Sequence, residues 1–194
     1  MIVLASTSYT RQAVLKAAGL SFDAVSPQVN ETALVAANPH WSPAETALKL
    51  AGAKALAVSA TAPSAVVIGA DQVLALENRV YAKPRDPAEC RMHLRELRGR
   101  THRLISSAVC AREGRVEWSC TAEACLTMRD FSDAFLESYL VAVGQDCTTS
   151  VGGYKIEGPG IQLFENVVGD HFTILGLPLL PLLDYLRSCG EIAS

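Results

Sequence analysis

The chain has 194 residues, 49% of them hydrophobic, which is enough for one sizeable core or for two small lobes flanking a cleft; one continuous domain over residues 1–194 is expected. A formal net charge of -3 excludes a protein whose main task is gripping DNA, RNA or an anionic membrane, so any phosphate site has to be built locally. The six cysteines show no C-x-x-C spacing, the start carries no basic n-region, and the most apolar stretch, residues 174–183, is broken by Pro178 and Pro181; reduced thiols, a cytosolic setting and no membrane span are expected.

In chain order, residues 2–5 form a short apolar run that gives way to Ser6-Thr7-Ser8 and then to a helical pattern over residues 10–18 closed by Gly19. Residues 22–26 read as a second strand, and residues 27–40, which carry Asn30-Glu31-Thr32, as a charged loop. Ser42-Pro43-Ala44-Glu45 is a capping-box pattern with proline at the first helical position, and the spacing of Leu48, Ala51, Ala55 and Val58 predicts a helix to about Ala60. Residues 65–70 are a β-branched run of the kind buried on both faces, with Asp71 where the strand runs on.

Glu77-Asn78-Arg79 reads as a turn, and Asp86-Pro87-Ala88-Glu89 repeats the capping-box chemistry before a helix ending at Gly99. Two strands follow around Glu113-Gly114-Arg115. The second alternates cleanly from Val116 to Met128 and should bury one face. Residues 132–143 predict an amphipathic helix stopped by Gly144. Gly152, Gly153, Gly158 and Gly160 then mark backbone with unusual dihedrals or a close approach, before a strand pair to about Leu175 and a last helix over residues 178–188. This mix of elements predicts an α/β protein with a mixed, twisted sheet.

Three segments place chemistry together. In Ala5-Ser6-Thr7-Ser8-Tyr9-Thr10-Arg11, hydroxyls, helix N–H groups and a guanidinium share one spot suited to phosphate; alone, the segment reads first as an N-cap and a solvated arginine. In Ile68-Gly69-Ala70-Asp71-Gln72 an acid stands at the end of an apolar strand, where its charge needs a partner such as a metal ion, or else caps a turn. Tyr81-Ala82-Lys83-Pro84-Arg85-Asp86 puts two cations before a capped helix, suited to a triphosphate or else plain loop charges. Glu31 and Lys54 read alone as solvated, and His102, the thiols, Trp41 and Trp118 as structural. The chain contains no Walker A loop, Rossmann fingerprint, H-E-x-x-H or zinc spacing.

Leu4-Ala5-Ser6-Thr7-Ser8-x-x-Arg11, Asn30-Glu31-Thr32, Lys54-Ala55, Ile68-Gly69-Ala70-Asp71-Gln72, Lys83-Pro84, Gly99-Arg100-Thr101-His102, Gly153-Tyr154-x-x-Glu157-Gly158 and Gly176-Leu177-Pro178, in that order, resemble the Maf family over nearly the whole chain. The resemblance implies a mixed, twisted sheet flanked by helices around a central substrate cleft, similar to inosine triphosphate pyrophosphatase, and commonly a homodimer. The implied activity is a magnesium-dependent hydrolysis, with manganese or cobalt as alternative divalent metals. It converts a free nucleoside triphosphate to the monophosphate and pyrophosphate and keeps modified nucleotides out of nucleic acids.

The family's catalytic acid falls on Asp71, its metal ligands on Glu31 and Asp71, and its substrate ligands on Ser8, Arg11, Lys54 and Lys83. Gln72 and Glu157 resemble the branch acting on 7-methyl-GTP, because the branch acting on dTTP and UTP typically has threonine and glutamine there. A carboxylate at Glu157 accepts from a guanine N–H edge and offers a pyrimidine carbonyl only repulsion. Thr10 stands at a third specificity position and matches neither branch, while Tyr9 replaces the usual proline and Ala82 the usual glycine. A nucleotide-binding regulator of septum formation without turnover is the alternative outside enzymology.

Overall fold

A computed structural model describes residues 1–193. The apolar run at the start becomes β1, Ile2–Ala5, and the polar loop after it ends in Ser8, whose side chain accepts from the Arg11 N–H to cap α1, Tyr9–Ala17. Then come β2 (Asp23–Ala24), α2 (Glu31–Ala36), α3 (Pro43–Ser59), β3 (Val66–Leu76), β4 (Arg79–Tyr81), α4 (Pro87–Leu97), β5 (Thr101–Arg112) and β6 (Arg115–Met128). After α5 (Asp133–Val143) and three 3₁₀ turns the chain closes with β7 (Phe164–Val168), α6 (His171–Ile174) and α7 (Leu179–Ser188). The strands hydrogen-bond in the order β2-β1-β3-β5-β6-β7, with β4 pairing on β3. β1 is parallel to β2 and β3, whereas β3–β4 and β6–β7 are antiparallel, so the sheet is mixed as the sequence predicts.

The chain forms two compact units: one from Met1–Gln72, Ile105–Glu123 and the segment from Asp170 on, the other from Val73–Leu104 and Ala124–Gly169. In the first unit, side-chain parity sets which helix each strand residue meets. Ile2, Leu4, Val66, Ile68 and Ala70 pack with Leu15 of α1 and Leu182 of α7, while Val3, Ala5, Val67 and Ala65 pack with Val58 of α3. Burying the valine, leucine and isoleucine side chains among these, at about 1.5–3 kcal/mol each, holds the two helical layers on the sheet. In the second unit, buried His102 meets Tyr154, with 2.6 Å between Nε2 and the phenol oxygen, and both rings lie against Phe164.

Most boundaries match the sequence pattern. The Ser42–Glu45 capping box is present in full. At α4, Asp86 accepts from the Glu89 N–H, but the Glu89 carboxylate accepts from the Arg85 N–H at 2.7 Å instead of closing the box. Glu113 and Gly114, at φ 52° and 74°, form the two-residue turn between β5 and β6, and Gly152 and Gly153 both take positive φ. All six cysteines are free thiols.

Three elements differ from expectation. Residues 31–36, expected as loop, are helical: the Asn30 side chain caps them by accepting from the Ala33 N–H, yet the helix buries no residue and so has no apolar period to read. The expected strand pair ending near Leu175 is one strand, β7, followed by α6. The Asp170 carboxylate caps α6 by accepting from Thr173 N–H at 2.7 Å, overriding the β propensity of Phe172, Thr173 and Ile174. The buried face of β6 is confined to Ala124, Leu126 and Met128; Val116 is exposed, and Trp118 is covered by stacking on Tyr185 at 5.3 Å. Among the described residues no helix is long and apolar enough to cross a membrane.

Candidate active site

The centre of the site follows from one close approach. A Cβ on Gly69 of β3 would lie 2.6 Å from the Ala55 nitrogen and 2.9 Å from the Ala55 Cβ, and would overlap the Ala51 carbonyl oxygen, so α3 packs on the strand at glycine distance. Lys54 lies beside Ala51 and Ala55 on the buried stripe of α3. Asp71, two residues beyond Gly69, points to the same side of the strand. Both charged residues are only 6% exposed, and each therefore needs a partner. Lys54 Nζ lies 2.6 Å from Asp71 Oδ1 and 2.9 Å from Glu31 Oε1, which comes in from the first position of α2.

Burial pushes the Asp71 carboxyl above its usual range; the Lys54 and Arg11 charges and the Lys54 hydrogen bond oppose the rise, and Glu31 adds to it. A carboxylate raised in this way is a stronger proton acceptor than an exposed aspartate while remaining ion-paired. Asp71 and Glu31 converge on a single ammonium nitrogen. Among the described residues no group of three or more His, Cys, Asp or Glu side chains is arranged to hold a metal. Two carboxylates fit magnesium carried in by substrate phosphates better than they fit an all-protein cage.

The α1 side of the first unit supplies the cation expected near the phosphates. Ser8 Oγ accepts from the Arg11 N–H at 3.4 Å, and Ser8 N–H donates to Ser6 Oγ at 3.1 Å, so the cap itself is held. Arg11 Nε donates to the Gly176 carbonyl at 2.9 Å. Burial lowers the Arg11 pKa, and the Asp71 and Glu31 charges pull it back up. Thr10 is half-buried beside it. Gln72, next after Asp71, points to the opposite side of β3 and gives its amide nitrogen to Ser106 Oγ, Thr173 O and Ile174 O at 3.0, 3.1 and 2.9 Å.

Ser8, Thr10, Arg11, Glu31, Lys54, Asp71 and Gln72 thus all lie in the first unit, where Arg11, Glu31, Lys54 and Asp71 form one charged cluster. Lys83 and Glu157 belong to the second unit: Lys83 is exposed after β4, and Glu157 is exposed in the turn before the 3₁₀ segment Pro159–Leu163. Residue-level reasoning passed over Ser106, Thr173 and Gly176 as partners of Gln72 and Arg11. Gly176-Leu177-Pro178 carried a visible signal, whereas nothing about a serine inside β5 distinguishes Ser106.

The model of the Maf family, described as Maf-like protein, matches residues 1–189. A protein of Rhodopseudomonas palustris (strain BisB18) named nucleoside triphosphate pyrophosphatase is 48% identical over 96% of this chain and 92% of its own. Proteins named 7-methyl-GTP pyrophosphatase are similarly close: that of Rhizobium meliloti (strain 1021) is 48% identical over 99% of this chain and 98% of its own, and that of Mesorhizobium japonicum 49% over 98% and 97%. With a family match over nearly its whole length and relatives at this identity, the chain belongs to the Maf family.

Proposed function

We propose that the protein hydrolyses a nucleoside triphosphate between the α- and β-phosphates, releasing a nucleoside monophosphate and pyrophosphate. The observation that carries this reading is the buried Asp71, raised in pKa, ion-paired to Lys54 and facing the charges of Arg11 and Glu31. The names of the relatives support the same activity. Asp71 accepts the proton of a water whose oxygen bonds to the α-phosphorus as the bridging P–O bond breaks and pyrophosphate departs. The Arg11 guanidinium, oriented by Gly176, meets phosphate oxygens, and the Lys54 charge and hydrogen bond favour the ionised form of Asp71 against the effect of burial. Asp71 and Glu31 would hold a magnesium ion, which would supply charge neutralisation on the phosphates.

A guanine-type base, in particular the cationic ring of 7-methyl-GTP, is the proposed substrate class, which the names of two close relatives and the carboxylate at Glu157 support. Pyrophosphate release from 7-methyl-GTP, GTP, dTTP and UTP, with magnesium or with a chelator, tests the proposal. Turnover that requires the metal and falls by about 10²-fold or more in Asp71→Asn is expected. Full activity in Asp71→Asn removes that residue from the chemistry, and binding without release in the wild type supports a regulator instead. Glu157→Gln should lower the ratio of 7-methyl-GTP to dTTP turnover; an unchanged ratio removes Glu157 from base selection.

A further inference from the structure

The Gly176 carbonyl that accepts the Arg11 Nε–H at 2.9 Å is the last link of a turn that starts at Asp170. Consecutive backbone bonds lead from one to the other: Ile174 N–H to Asp170 O, Leu175 N–H to His171 O and Gly176 N–H to Thr173 O, each at 3.1 Å. The helix in between, His171–Ile174, has only four residues, too few to sustain itself, because a first turn fixes several dihedrals for one hydrogen bond. Its first N–H groups have to be met from outside. Asp170 does so: Oδ2 accepts from the Thr173 N–H at 2.7 Å and from the Thr173 hydroxyl at 3.0 Å. Thr173 is 1% exposed, so loss of this carboxylate leaves two buried donors in want of a partner.

The far end of the turn meets the charged cluster. Gly176 has φ +94°, and a Cβ there would lie 3.5 Å from Arg11 Nε and 3.6 Å from Arg11 Nη2, so the guanidinium lies along bare backbone. An arginine has several rotatable bonds, and a bond at Nε sets the plane of the whole fork. With Nε spent on the turn, the terminal N–H groups remain as the pair that suits phosphate oxygens. Asp71 and Glu31 attract the same guanidinium, and the bond to Gly176 is a fixed point against that pull. Ser106 Oγ donates to Thr173 O at 2.7 Å and ties the middle of the turn to β5.

We infer that Asp170 is a positioning residue: by capping the turn over residues 171–176 it fixes the carbonyl that orients the Arg11 guanidinium. Its consequence for catalysis rests on the reading of Arg11 as a phosphate ligand, whereas its hold on Arg11 does not. Asparagine caps a helix about as well as aspartate, so Asp170→Asn keeps the turn and Asp170→Ala opens it. Thr173→Val removes one of the two bonds to Asp170 and serves if Asp170→Ala does not fold.

Two measurements test it. In ¹⁵N-arginine-labelled protein the Arg11 Nε–H should exchange at least about fivefold faster in Asp170→Ala than in the wild type, by a smaller factor in Thr173→Val, and at nearly the wild-type rate in Asp170→Asn. With magnesium and 7-methyl-GTP, GTP, dTTP or UTP, kcat/KM should fall about fivefold or more in Asp170→Ala and recover in Asp170→Asn; the loss should vanish when Arg11 is already alanine. An Nε–H equally protected in the wild type, Asp170→Ala and Thr173→Val overturns the inference. Fast exchange in Asp170→Asn does so too, since it assigns the effect to charge and not to capping. If the Nε–H is released and turnover is unchanged, Asp170 holds Arg11 and the phosphate role of Arg11 falls.

Discussion

Adding one methyl group at Gly69 strains the contact on which the charged cluster is built. The new Cβ would stand 2.6 Å from the Ala55 nitrogen and 2.9 Å from the Ala55 Cβ, against an optimum for carbon contacts of about 3.5–4.0 Å. The obstructing atoms are backbone and Cβ atoms, so no rotamer change relieves them, and α3 has to retreat from β3 by roughly 1 Å. Overpacking of this kind costs about 1–3 kcal/mol. For a chain of this size that lowers the melting temperature by roughly 2–12 °C. Lys54 moves with α3, and a displacement of about 1 Å can cost about 10²-fold in rate.

Gly52→Ala, in the same helix but with nothing within 4 Å of the added Cβ, is the matched control. It should raise stability by about 1 kcal/mol through helix propensity and leave turnover unchanged. Differential scanning calorimetry and pyrophosphate release on the two variants decide the matter. If Gly69→Ala melts and turns over like the wild type, α3 is not held at glycine distance and the placement of Lys54 has another cause.

Removing the Lys54 ammonium in Lys54→Met deletes the largest influence holding the Asp71 pKa down. The carboxylate is the form that accepts a proton, so activity rises with pH through the Asp71 pKa, and this acid limb should move up by at least about one pH unit in Lys54→Met. A pH–rate profile identical to the wild type would contradict it. His102, buried beside Tyr154, is pushed down from 6.5 to about 4 by desolvation. Because the unfolded chain takes up this proton first, the contribution of His102 to stability is complete above about pH 6.5 and is lost between there and pH 4, up to about 3 kcal/mol. Urea unfolding at pH 7 and 4.5 measures it, and the same loss in His102→Gln would assign the effect to other groups.

The strands and helices that bury an apolar face were legible, because hydrophobic period and capping chemistry agree at α1, α3, α4 and α5, and the period alone marks α7. The solvent-covered α2 was not, although Asn30 is a good N-cap residue. Lys54 had a readable signal: it falls on the stripe of Ala47, Ala51, Ala55 and Val58, and a lysine on a buried stripe needs a partner. Asp71 and Gln72, adjacent in sequence, point to opposite sides of β3, one to α3 and the other to the turn after α6. That parity follows from the strand itself, but what waits on the Gln72 side is decided by contacts about one hundred residues apart in sequence, such as Gln72 with Ile174 at a separation of 102. No local pattern encodes them.

The two acids that share Lys54 differ in stiffness. Asp71 is set within an 11-residue strand that is buried almost throughout, whereas Glu31 rides on a six-residue helix with no interior side of its own. The Glu31 side chain is 48% exposed, so on letting go of Lys54 its carboxylate returns to water, while the Lys54 ammonium keeps its partner in Asp71. When an incoming polyanion forces the local charges to regroup, the give is therefore taken up by a surface turn, and the sheet keeps its register.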